Sequence, residues 1–361
     1  MTQTTASSPV ANAYASGRLD RPVPWFVLAG ALVLSFIVFA LLRAGSPTDD
    51  YNVIGAVVIG MALNGLAIYV LSLLVEGRRK AKDRLVTALV SAAFLVTLLP
   101  LISLLSTVVV NGLPRFDIEF FTYSMRNIVG DQGGGGIHAI IGTVLMTLAA
   151  AVISVPIGLL TSIYLVEYGR GPLSRAITFF VDVMTGIPSI VAGLFAYALF
   201  AIIFGPGVRL GIAGAIALSV LMIPVVVRSS EDMLKLVPNE LREASYALGV
   251  PKWLTILKVV LPTSIAGITT GVMLAIARVI GETAPLLVAA GFTNNLNYDM
   301  FDGRMQSLPV FVYNSYVSQG TDAQSYLDRA WAGALTLILI VMLLNLVARL
   351  IARIFAPKLG R

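Results

Sequence analysis

Long apolar blocks separated by short polar connections dominate this chain. Crossing about 30 Å of hydrocarbon takes roughly 20 apolar residues in a helix. Eight blocks meet that length: 24–42, 52–75, 86–110, 138–166, 176–203, 210–228, 263–290 and 331–352. The fifth and sixth are separated only by "GPGVRLG", which predicts a tight hairpin. The pattern therefore predicts an all-α polytopic membrane protein. Residues 1–23 are rich in Ser, Thr and Ala and read as a disordered tail. The block that follows is longer than the roughly 7–15 apolar residues of a secretory signal, so it reads as a retained helix. The first two blocks end at the basic run "EGRRKAKDR" and look like a two-span extension, residues 24–84, on a six-span core. The first core span and its outer loop occupy 85–137, and no internal repeat is visible.

Composition agrees with this. The chain has 361 residues, 57% hydrophobic and 12% charged, where a soluble domain carries about 25% charged residues. There is no cysteine and a single histidine, His138. That excludes a disulfide framework, thiolate metal sites and a cysteine nucleophile, and speaks against any zinc or haem centre. The net charge of +6 is explained by its placement rather than by nucleic acid. Of 25 basic residues, Arg43, Arg115, Arg126, Arg209, Arg304 and Arg329 fall on one side of the predicted bundle. Arg278 lies inside a block, and all the others, Arg228, Lys235, Arg242, Lys358 and Arg361 among them, fall on the opposite side with both termini. Positive charge stays inside, so both termini, including the tail 353–361, are expected in the cytoplasm. The two outer connections, 111–137 and 291–330, carry Asp117, Glu119, Asp131, Asp299, Asp302, Asp322 and Asp328. Loops of that length either dock a partner or pack as lids over the helix ends.

The connection 229–262, "SSEDMLKLVPNELREASYALGVPKWLTILKVVLP", is not a passive linker. Pro238 fits a first helical position, Gly249 a C-terminal cap and Pro251 the start of a second short helix. Leu241, Ala244 and Leu248 share one face of the first helix; Trp253, Ile256, Leu257 and Val260 share a face of the second. Such an apolar elbow either covers a partner or packs back on its own helix ends. The stretch "EASYALGVPKWLTILKVVLP" resembles the EAA loop of ABC-importer permeases, with Glu243, Ala244, Gly249, Leu261 and Pro262 at matching positions. Ser245 stands where a second alanine is usual, and Val259 where isoleucine is commoner. The resemblance implies the type I ABC-importer transmembrane fold, a six-helix core made of the first core span in 85–137 and a transmembrane domain over about 138–352, preceded here by two extra helices. It also implies a coupling helix seated in a groove of a separate ATPase, with Glu243 as a polar contact and Gly249 and Pro251 shaping the turn. The chain has no P-loop: "GGGG" at 133–136 lacks the following Gly-Lys-Ser/Thr, so ATP and Mg would be used by the partner. Those glycines read as a flexible lead-in to the fourth span.

Four further stretches, "GIHAIIGTVLMTLAAAVISVPIGLLTSIYLVEYG", "TGIPSIVAGLF", "ARVIGETAPLL" and "SLPVFVY", resemble the PstA type of phosphate-importer permease over about residues 85–355. That resemblance implies a sister permease of the PstC type, an ATPase dimer and an extracytoplasmic phosphate-binding protein as partners, and no cofactor on this chain. Another oxyanion, such as sulfate or molybdate, is the nearer alternative. An ion-coupled secondary transporter is the more distant one, and it would not need the 229–262 elbow.

Arg278 and Glu282 stand four apart inside the seventh block, which places them on one helical face. A charge at mid-bilayer costs on the order of 3 kcal/mol, so both must face protein or water. Phosphate needs compensating charge, and arginine offers a planar fork that never loses its proton. Glu282 would pair with Arg278 when the pathway is empty and release it when the anion arrives. Gly281, Thr283 and Pro285 complete this candidate site, since Pro285 cannot donate to the Gly281 carbonyl and bends the helix just beyond the pair. A permanent Arg278–Glu282 bridge that merely fixes the helix is the plainer alternative. Asp182 reads first as an interfacial residue and second as a further partner for Arg278. Pro188 is expected to kink the fifth span, and Ser189 to reach an oxyanion or bond its own helix. His138 reads as a solvated residue at the outer edge.

Overall fold

The computed structural model describes residues 19–20, 22–44, 52–128, 133–320 and 322–355. Of the expected disordered tail 1–23, residues 1–18 and Arg21 lie outside the described residues, as do Asp131, Lys358 and Arg361, and Val23 already begins a helix. The described elements are helices, and they form two compact units that divide between Thr107 and Val108.

The first unit holds α1 (Val23–Ala44), α2 (Val53–Val75) and most of α3 (Arg78–Gly112). Small residues let α1 and α2 approach closely: Ser35 Oγ donates to the Ala56 carbonyl at 2.6 Å. Such contacts replace the hydrophobic drive that is missing between helices in lipid. Glu76, in the α2–α3 connection, is buried and accepts from Arg84 Nη2 at 2.9 Å, Ser72 Oγ at 2.8 Å and the Leu19 N–H at 3.0 Å. The Arg84 hydrogen bond holds its carboxyl down to about 2, against the opposing effect of burial. A depressed carboxyl stabilises above its ordinary value and loses that contribution as pH falls toward the folded value. Proteolysis of the α2–α3 connection should therefore accelerate as pH drops from about 4.5 toward 2. In Glu76→Gln the same cleavage should be fast and nearly flat with pH.

The second unit continues through α4 (Ile118–Thr122), α5 (Ile137–Ile163, prolonged by a π-helical turn to Tyr168), α6 (Pro172–Thr185), α7 (Ser189–Phe204) and α8 (Gly211–Lys235). After these come α9 (Asn239–Ala247), α10 (Lys252–Thr255), α11 (Leu261–Val279), α12 (Ala284–Ala289), α13 (Leu308–Val317) and α14 (Ala323–Phe355). Its core is helix α8, flanked by α5 and α11, with α12 also against it and α14 on α11. Met146, Ala150, Leu218, Met222, Val226, Ala275, Val279 and Leu286 are all buried there. In the first half of α8 the buried face is mostly small, with Gly211, Ala213, Gly214, Ala215, Ala217 and Ser219, which suits close contact between membrane helices.

Among the described residues seven helices are long and apolar enough to cross a membrane, and a bent pair would make an eighth crossing. The predicted fifth span, 176–203, is not one kinked helix. It is α6 and α7 joined at 108° across Gly186, Ile187 and Pro188. Pro188 has no N–H and drives the residue before it out of helical geometry, so the chain turns rather than kinks. The predicted seventh span, 263–290, is also broken. One continuous helix runs from Lys252 to Val279, and the short α12 starts afresh at Ala284.

Two expectations at the α4–α5 junction are also corrected. The glycine run is packed rather than flexible: a Cβ at Gly135 would stand 2.6 Å from the carbonyl oxygens of Glu119, Phe120 and Tyr123. Arg115 and Arg329 donate to the Gly134 and Gly133 carbonyls at 2.7 and 3.0 Å. His138 is buried, edge-on to Phe311 with ring centroids 5.6 Å apart, instead of solvated.

Candidate functional site

Arg278 lies in the last turn of α11 and is exposed on this chain. Glu282 lies in the following break, where its N–H bonds the Val279 carbonyl at 3.1 Å. The expected Arg278–Glu282 pair on one helical face is therefore not formed: the helix ends between them. Among the described residues neither side chain has an ion-pair partner. The break falls earlier than the bend expected from Pro285, because Pro285 occupies the second position of α12 and its ring bars continuous helix from Gly281 onward. Gly281 is exposed, with open space where a Cβ would be, and Thr283 is half-buried.

The helix after the first break crosses the helix after the second. A Cβ at Gly193, one turn into α7, would stand 2.5 Å from Pro285 Cα at the start of α12, so only glycine fits this crossing. The structure thus packs α7, the helix that Pro188 and Ser189 begin, against Pro285 beside the second break. It takes Asp182 elsewhere. Asp182 pairs with Arg228, not Arg278, and Arg228 also bonds Glu231 at 2.9 Å, which bonds Lys235 at 2.7 Å. This chain of alternating charges across α6 and α8 joins residues 46 apart, and no local spacing announces it.

At the end of the unit that holds α9 lies the elbow. Gly249 has φ +75°, and its N–H bonds the Tyr246 carbonyl at 2.9 Å, closing α9 before Pro251 caps α10. Ser245 is buried and shares a 2.8 Å hydrogen bond with Thr255, so the hydroxyl that replaces the usual alanine pins the two arms together. The second arm does not present one apolar face. Val260 is buried with Leu234, Val237 and Ile268, and Ile256 is buried too, while Trp253 and Leu257 are 58% and 54% exposed. On α9, Leu241 and Leu248 are exposed beside Glu243 and Ala244. The elbow therefore docks by one side and leaves the other open. A π-helical turn at Ile256–Val260 precedes Leu261 and Pro262, which continue into α11.

Docking depends on residues that sequence reasoning counted only as topological charge. Arg242 reaches Glu167, beyond the end of α5, at 2.9 Å through Nη2. The same guanidinium donates to the Val237 and Leu234 carbonyls at 2.6 and 3.0 Å. Lys252 donates to the Glu167 carbonyl and lies over the Tyr168 ring at 4.7 Å.

The profile of the family described as binding-protein-dependent transport system inner membrane component matches residues 154–361, which include both breaks and the whole elbow. The chain belongs to this family. Within it, the chain is 46% identical over 273 residues to the phosphate transport system permease protein PstA of Mycobacterium leprae, covering 74% of this chain and 88% of that one. It is 46% identical over 278 residues to PstA 1 of Mycobacterium tuberculosis H37Rv, covering 76% and 88%. It is 41% identical over 282 residues to PstA of Pasteurella multocida, covering 78% and 96%. Among solved structures, the inward-facing MetNI methionine ABC transporter aligns with a TM-score of 0.47 at 21% identity, covering 62% of this chain and 95% of that chain. Membership in this family makes the chain a non-catalytic membrane subunit of a transporter.

Proposed function

We propose that this chain is one of two permease subunits of an ATP-driven importer that moves inorganic phosphate into the cytoplasm, with both its own termini on the cytoplasmic side. A sister permease, two copies of an ATPase and an external phosphate-binding protein complete the machine. The observation that carries this reading is a single lever. The helix that begins at Lys252 in the elbow runs unbroken to Val279 and carries Arg278 in its last turn, 28 residues and about 42 Å in all. A push on α9 by a closing ATPase crosses the Gly249–Pro251 turn, which the Ser245–Thr255 hydrogen bond pins, and from Lys252 it reaches the guanidinium without a further break.

Two physical constraints support placing Arg278 and Gly281–Thr283 on the anion's path. Irregular backbone is not tolerated against lipid, so the break must face protein or a water-filled cavity. A guanidinium inside a membrane is subject to the same restriction. On this chain Arg278 and Gly281 are both exposed, so the sister permease or the pathway between the two must cover them. Arginine there holds phosphate through charge-assisted, two-pronged hydrogen bonds. Glu282 adds a negative charge from the break that opposes indefinite retention. Glu243 and Ala244, with exposed Leu241 and Leu248, form the ATPase-facing side of the elbow.

The test is reconstitution of the four-part complex in vesicles. Phosphate-loaded binding protein should stimulate ATP hydrolysis, and labelled phosphate uptake should resist a large excess of sulfate or molybdate. Competition by either oxyanion would reassign the substrate. Uptake that persists without ATP and follows a proton gradient would replace the importer by a secondary transporter.

A further inference from the structure

At the opposite end of α8 from the elbow, two arginines converge. Arg209 lies in the α7–α8 connection and Arg304 in the α12–α13 connection. Their Cδ atoms stand 2.9 and 3.4 Å from the point a Cβ at Gly291 would occupy. Backbone hydrogen bonds clamp both connections to the end of α12. The Leu210 N–H bonds the Ala289 carbonyl at 3.3 Å, and the Met305 N–H bonds the Ala290 carbonyl at 3.3 Å. Leu210 and Met305, the residues directly after the two arginines, are buried, so the stems are anchored while Arg304 is exposed and Arg209 half-exposed. Asn297 fixes the second loop by donating to the Asp302 and Arg304 carbonyls at 2.8 and 3.1 Å. Among the described residues no carboxylate pairs with either guanidinium. The Asp299 carboxylate instead accepts the Phe301 N–H at 2.8 Å.

Two like charges held side by side without an acid repel, and an anion between them removes that penalty. The short helix separating them from the break below Thr283 is six residues, about 9 Å, long. We infer that Arg209 and Arg304 form an outer waiting site for a tetrahedral oxyanion, which holds phosphate after its release from the external donor and before it reaches Arg278. This rests on the importer reading above. The shared chemistry is a phosphate group, which free phosphate or a phospholipid headgroup could supply; the site takes free phosphate.

The experiment is uptake by the reconstituted complex carrying Arg209→Gln with Arg304→Gln. At saturating phosphate-loaded binding protein, the maximal uptake rate should fall about tenfold, the scale of one charge-assisted contact. ATP hydrolysis without binding protein should be unchanged, as should the binding-protein concentration giving half-maximal rate. Arg209→Lys with Arg304→Lys should recover part of the rate; no recovery would mark structural damage and overturn the inference. A wild-type rate in the glutamine variant would overturn it too. So would a raised half-saturating binding-protein concentration with unchanged maximal rate, which would make the pair a protein-docking surface. Wild-type complex in vesicles of neutral, phosphate-free galactolipid should keep its rate; a matching tenfold loss there would assign the pair to lipid headgroups instead. Failure of the wild type to take up phosphate at all would sink the importer reading, a result distinct from each of these.

Discussion

Arg278→Gln is expected to abolish phosphate uptake, lowering it by about a hundredfold or more, the scale of losing two charge-assisted hydrogen bonds at once. Glutamine keeps the length of the side chain and its ability to donate, but it removes the permanent charge and the fork. The substitution should leave membrane levels and ATPase binding intact, because Arg278 is exposed on this chain and has no ion-pair partner among the described residues. Hydrolysis of ATP by the complex should therefore continue while phosphate stays outside. Arg278→Lys should retain part of the rate, since a compact ammonium neutralises the anion without matching its oxygens. Normal uptake in Arg278→Gln would remove this residue from the pathway.

The second large effect is expected at the other end of the same lever. Arg242→Ala should destabilise docking of the elbow by about 3–5 kcal/mol, the range found when one partner of a buried pair is deleted. Its partner Glu167 has a side chain only 5% exposed, and the Val237 and Leu234 carbonyls lose their donor together with it. The loss should be read as a lower melting temperature of the purified permease. It should also appear as uncoupling: ATP hydrolysis that no longer responds to loaded binding protein. Replacing both partners, Arg242→Leu with Glu167→Leu, should restore much of the thermal stability, because no uncompensated charge is left buried. If Arg242→Ala melts and couples as the wild type does, the elbow is held by Ile256, Val260 and Lys252 without Arg242.

How far the chain could be read in advance depended on the range of each interaction. Whole spans were legible because hydrocarbon thickness imposes a length that any apolar run reveals. The elbow was legible for a similar reason, since Gly249 and Pro251 act within a few residues of themselves. The breaks were legible only as a kink at Pro188 and a bend at Pro285, not as ends of helices. Pro100, Pro156 and Pro224 lie inside unbroken helices, whereas Pro188 and Pro285 begin new ones. Each breaking proline has a glycine two or four residues before it, Gly186 and Gly281; the tolerated ones have none in the four residues before them. Glycine there weakens the turn on which the proline ring presses. Once α11 ends, the i, i+4 geometry that placed Arg278 beside Glu282 no longer applies. Partners distant in sequence stayed hidden altogether: Asp182 with Arg228, Glu167 with Arg242, and Ser245 with Thr255 are set by packing. His138 was misplaced because proximity to a span end does not report burial by Phe311, 173 residues later.

The central claim is that the break after Arg278 opens onto water in the assembled transporter. Because the chain has no native cysteine, Gly281→Cys supplies a single thiol at the most open position of the break, where a Cβ meets nothing within 4 Å. The decisive measurement is the labelling rate of that thiol in the reconstituted complex, using a charged, water-soluble reagent beside a lipid-soluble one. Fast labelling by the charged reagent, slowed when the complex is trapped in its alternate state with a non-hydrolysable nucleotide, is the predicted result. Labelling by the lipid-soluble reagent alone would place the break against the bilayer and contradict the account.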